Sequence, residues 1–111
     1  MTHFDLPKKF GHRRPAACAA AESAAVEAVA HAGIAVEVSS AGLRKTIGEI
    51  YPGPALLRSL GSAGVPVVFA SDAHAPAEVA WQQEALRTAA QAAGYTHHLT
   101  YRNRTPAPHP L

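Results

Sequence analysis

Cysteine is all but absent. Cys18 stands alone, so no intrachain disulfide can form, and a reducing compartment fits. Charge is scarce as well. Only 16% of the 111 residues are charged and the formal balance is +2, too mild for a nucleic-acid footprint although the pI is near 9.0. Aromatic residues make up 6% of the chain and do not interleave with basic runs, which argues against a stacking platform for single strands. No basic stretch followed by a long apolar run opens the chain, so neither a signal peptide nor a membrane span is predicted. The alanine-rich run over 16–32 is interrupted by Glu22, Ser23, Glu27 and His31 and reads as a soluble helix. A cytoplasmic protein of at most one domain of common size is the expectation.

What is present centres on Val65–His74, VPVVFASDAH. Val67, Val68 and Phe69 are β-branched or aromatic and predict a short buried strand, with Pro66 at its first residue, where a missing N–H costs least. Asp72 and His74 follow. Two apart on an extended segment, they would project together, and a carboxylate oxygen with an imidazole nitrogen suits Zn²⁺, Mn²⁺ or Fe. The same residues also suit a turn and helix start, with Ser71 or Asp72 accepting backbone N–H bonds.

In chain order, residues 1–7 carry a strand-like pattern with no lead-in, an unusual opening for a complete chain, and Lys8–Arg14 form a basic loop. Pro15 and Gly33 bracket a helix with Val26, Val29, Ala25 and Ala30 on its buried face and His31 in its last turn, where a cation complements the dipole. Ile34–Ser39 is the next strand, and Glu37 inside it needs a polar site or a basic partner. Ser40–Lys45 is a small-residue turn ending in Arg44 and Lys45, readable as an oxyanion cradle or as a solvated loop. Pro54 opens a short helix, and Ala75–Pro76 a longer one through Ala93 with Val79, Gln83, Leu86 and Ala90 in one stripe. Tyr95–Tyr101 is a last short strand, and residues 105–111 are a proline-rich loose tail after a domain spanning 1–104. His97 and His98 face opposite ways on a strand and cannot easily share an ion; they and His109 read as structural. Alternating strands and helices predict an α/β fold of parallel βα units, too few to close, with open edges.

Four stretches in order resemble the carboxyl-terminal part of a histidinol-phosphatase of the PHP (polymerase and histidinol phosphatase) superfamily. They are His3–Gly11 (HFDLPKKFG), Val36–Lys45 (VEVSSAGLRK), Glu49–Pro54 (EIYPGP) and Ser71–His74 (SDAH). The resemblance implies a distorted (β/α)7 TIM-like barrel, incomplete in this chain, with divalent metals (Zn, Mn or Fe) at its strand ends. It implies His3, Asp72 and His74 as metal ligands, and Arg44 on the substrate phosphate with Lys45 and Ser40 as weaker candidates. Asp72 would also orient the attacking water, and Glu37 would stand behind the ligands. Implied too is hydrolysis of L-histidinol phosphate, a small phosphate ester of histidine biosynthesis, without nucleic acid or membrane as partner. The family's opening His-x-His motif has no counterpart here, so little or no turnover is expected from a chain that is either a fragment or completed by a partner chain, with an oligomer as the other arrangement. Another PHP-type phosphoesterase, or a non-catalytic metal-binding or interaction fragment, are the other readings.

Overall fold

A computed structural model describes all 111 residues. Three helices and four strands alternate in it: α1 (Ala19–Ala32), β1 (Val36–Ser39), α2 (Pro54–Ser62), β2 (Val67–Ala70), α3 (Gln83–Ala92), β3 (His97–Arg102) and β4 (Thr105–Pro110). The sheet order is β1-β2-β3-β4, parallel across the first three and antiparallel at the last pair. The α/β reading therefore holds, with one antiparallel strand added.

Proline and glycine punctuation explains the helices. α1 follows a 3₁₀ turn over Ala16–Cys18 and ends at Gly33, whose φ of +63° is the left-handed conformation glycine adopts most freely. Pro54 sits in the first turn of α2. Val26 and Val29 are buried as their spacing predicts, whereas Ala30 is exposed. With Leu56, Leu60, Val36 and Val65 they form one core cluster, and Val38, Val67, Ile50, Leu57 and Leu86 form a second. Val36, Val38 and Val67 thus turn one sheet face to the helices. The opposite face carries Glu37, Val68, Ala70 and Leu99, all half-buried.

Several expectations are corrected. Residues 1–7 are not a strand: a 3₁₀ turn covers Leu6–Phe10, and only Met1 pairs with the sheet. The helix expected from Pro76 to Ala93 is broken, because Gln82 takes a left-handed conformation at φ +58° and α3 starts only after it. Val79 consequently leaves the stripe and is 68% exposed, while Leu86 and Ala90 are buried. Residues 105–110, expected to be loose, pair as β4 through a two-residue turn at Asn103 and Arg104, both at positive φ.

Nor are the sheet edges open. At β1, the Glu37 N–H donates to the Met1 carbonyl at 2.9 Å and the Ser39 N–H to the Tyr51 carbonyl at 2.7 Å. At β4, Pro106, Pro108 and Pro110 alternate with residues whose N–H groups face β3, as the Leu111 N–H bond to the Thr96 carbonyl shows. The outer edge of β4 therefore has no donor to offer.

Candidate functional site

Register Ser39↔Ala70 brings the segments leaving β1 and β2 side by side. The first is a 3₁₀ turn, Ser40–Arg44, started by Ser39, whose Oγ accepts from the Ala41 N–H at 3.2 Å. Gly42 is required there, since an added Cβ would meet the Glu49 carbonyl oxygen at 1.9 Å. The turn aims Arg44 across at the second segment. Its Nη2 donates to the carbonyls of Ser71 (2.8 Å) and Asp72 (3.1 Å) and lies 3.6 Å from Glu78 Oε2. The guanidinium stands 5.2 Å from the centre of the Trp81 ring, and Nη1 is buried with no partner.

Asp72 adopts φ +51°, a left-handed conformation aspartate tolerates better than most residues, and its side chain is exposed. Residues 71–74 are therefore not extended, and Asp72 and His74 do not project together as strand neighbours. They meet differently. His74 Nδ1 lies 2.8 Å from the Asp72 carbonyl. With Nδ1–H donating, the Nε2 lone pair is left for a ligand, as in metal-binding histidines. The His74 N–H donates to Glu78 Oε2 at 2.8 Å, and this bond, more than the nearby Arg44, holds the Glu78 carboxyl below its ordinary range.

His3 approaches from the other flank, beside β1, where Met1 is hydrogen-bonded. Its Nδ1 lies 3.6 Å from Glu37 Oε1, and both atoms are buried without hydrogen-bond partners. Burial pushes the Glu37 carboxyl up; His3 opposes this and the charge of Asp72 adds to it. His3, Glu37 and Asp72 thus share one electrostatic neighbourhood. His3, Asp72 and His74 do not close on a single point, however, and no three His, Cys, Asp or Glu side chains lie close enough to hold one ion.

Ser40 has a different task from phosphate binding: it is fully buried and its Oγ–H donates to the Trp81 carbonyl at 2.7 Å. Lys45 is exposed and forms no ion pair. Lys8, at the head of the basic loop, is committed to Asp5 (2.7 Å) and Glu49 (2.6 Å). A cavity of about 640 Å³ opens beside that loop, between α1 and Gly53–Leu56, and includes none of Arg44, Asp72 and His74. Glu37 and Glu78 are the residues sequence reasoning undervalued. The signal for Glu37 was present, a carboxylate breaking an apolar strand. Glu78 had none, because its contacts depend on where the expected helix breaks.

Fold and site define an α/β chain with imidazole, carboxylate and guanidinium groups gathered beside its parallel strands. No family model matches it. It is similar to a probable histidinol-phosphatase of Deinococcus radiodurans, 40% identical over 107 residues that cover 96% of this chain and 40% of that protein. The chain therefore corresponds to about two fifths of its relative's length.

Proposed function

We propose that this chain carries part of a metal-assisted phosphomonoester hydrolase site of the PHP type, acting on L-histidinol phosphate to give L-histidinol and phosphate. The observation that carries the reading is the pair of buried, unpartnered donors, His3 Nδ1 and Glu37 Oε1, 3.6 Å apart and within the field of Asp72. Unpaired buried polar atoms are costly, and a cation between them would satisfy both. His3 and Glu37 would supply two donors to a Zn, Mn or Fe ion, and Asp72 and His74, which this chain alone does not bring to the same point, would join them only in a completed site. When bound, such an ion lowers the pKa of a water to give a nucleophile and neutralises phosphoryl charge.

The remaining groups act on the substrate. Arg44, fixed by two carbonyls, offers its free Nη1 to a phosphate oxygen. Lys45 adds an exposed positive charge. Glu78 anchors His74 through its backbone N–H. The donors are too few and too spread for a full site, in keeping with little or no turnover from this chain alone; the distorted (β/α)7 barrel that the resemblance implies would bring further donors from residues outside this chain or on another. The same spread supports the second reading, a metal-binding fragment without catalysis.

Elemental analysis of the purified chain beside His74→Ala tests the metal. One or more equivalents of Zn, Mn or Fe in wild type, lost in the variant, is expected; two metal-free proteins would remove the basis of the proposal. Phosphate release from L-histidinol phosphate tests the rest. It should be weak and abolished by Asp72→Asn, and a rate equal to that of a full-length relative would sink the partial-site reading.

A further inference from the structure

A second group of imidazoles lies at the end of the sheet where β3 begins and β4 finishes. β3 and β4 pair so that His98 stands opposite His109, on the same sheet face. The N–H groups of odd-numbered β4 residues point at β3, which makes this a hydrogen-bonded pair with its Cα atoms about 5.5 Å apart. The ring centroids are 5.8 Å apart and the planes tilted by 37°. Two imidazoles on one ion, with metal–nitrogen bonds of about 2 Å, place their centroids about 5 Å apart, close to the spacing seen here.

Both rings are oriented by neighbours. His98 stacks on Phe69 at 4.7 Å and 4°. His109 Nε2 lies 3.0 Å from Thr100 Oγ1. With Nε2–H donating to that hydroxyl, Nδ1 keeps a free lone pair, the second-partner arrangement metal-binding histidines use. His98 Nδ1 has no hydrogen-bond partner. Burial, aided by Arg87, lowers the pKa of His98 and favours the neutral, ligating form, while Arg87 Nη1 donates to the Pro110 carbonyl at 3.3 Å.

We propose that His98 and His109 form a two-imidazole clamp for a borderline divalent transition-metal ion such as Zn²⁺, Ni²⁺ or Cu²⁺, with water in the remaining positions. The absence of a carboxylate from the pair disfavours Mg²⁺ and Ca²⁺. This site is separate from Asp72 and His74 and does not depend on the hydrolase reading.

Calorimetric titration with Zn²⁺ of the full chain, of His109→Gln and of the double variant His3→Ala/His74→Ala separates the two sites. His109 is exposed, so its replacement leaves the core intact. One Zn²⁺ equivalent should survive in the double variant, and adding His109→Gln should weaken it at least about tenfold, a loss that even an outer partner can cause. Zn²⁺ binding in the full chain unchanged by His109→Gln would overturn the proposal. In the unaltered chain, substoichiometric Ni²⁺ should broaden the His98 and His109 ring signals; ring signals left sharp while Ni²⁺ binds elsewhere would overturn it equally.

Discussion

Lys8 shows how one side chain can organise a whole segment. It is 11% exposed and holds Asp5, Glu49 and the Ile50 carbonyl at 2.6–2.7 Å. Asp5 in turn accepts the Gly53 N–H at 2.8 Å, so the amino-terminal turn is tied to the start of α2. Removing the cation leaves two carboxylates facing each other. Because Glu49 is partly solvated, the cost is below that of a fully buried pair, and Lys8→Met should lose roughly 2 kcal/mol in urea unfolding. Tyr95 gives a pH-dependent test. Its hydroxyl donates to the Val65 carbonyl at 3.0 Å, and burial pushes its pKa up to about 12. Between about pH 10 and 12 the folded state keeps a proton that the unfolded state releases, so stability is constant below that window and falls across it by up to about 1.4 kcal/mol per pH unit. Tyr95→Phe should cost about 1 kcal/mol at pH 8, and less at pH 11 because the variant escapes that fall. A gap that stays constant between the two pH values would refute this.

At the scale of elements, the β3–β4 hairpin carries residual strain. Asn103 and Arg104 have φ of +50° and +66°, and arginine is poorly suited to that conformation. Arg104→Gly should raise stability by about 0.5–1 kcal/mol in urea unfolding, despite the extra freedom glycine brings to the unfolded chain. The same residues explain why the hairpin was hard to read. Its turn lacks the usual glycine, and three prolines argue for a loose tail unless their register is known. Local signals sufficed elsewhere. Pro54, Gly33 and the Val-rich runs mark α2, α1, β1 and β2 without tertiary information. The break before α3 left no mark, since neither alanine nor glutamine favours the positive φ that Ala80 and Gln82 adopt there. The site divides likewise. Arg44, Asp72 and His74 were each legible as site residues, from the resemblance and from the end of the β2 run, but their contacts were not: the Arg44 bonds to the Ser71 and Asp72 carbonyls and the bond from the Asp72 carbonyl to the His74 ring depend on a left-handed aspartate that no spacing rule foretells. The His98–His109 pairing was hidden by the same error that hid β4.

The whole molecule has more surface than its mass requires. Its accessible area is 6694 Å², against about 5,800 Å² for a typical monomer of 11.6 kDa, although its radius of gyration of 13.5 Å is close to the roughly 13 Å of an ordinary domain this long. The surplus is therefore roughness, not elongation, in keeping with a sheet whose helices pack on one side. No helix is long and apolar enough to cross a membrane. A protein that exposes so much sheet invites misassembly, and here the alternating prolines of β4 act as a brake on propagation. A growing cross-β stack needs a row of donors for the next strand to read, and this edge is mute. Prolonged incubation of the chain should give no thioflavin T signal. Replacing Pro106, Pro108 and Pro110 together by threonine should restore the row and allow fibres to seed; fibres that form equally fast in both proteins would deny the prolines of this tail any part in keeping the chain from polymerising.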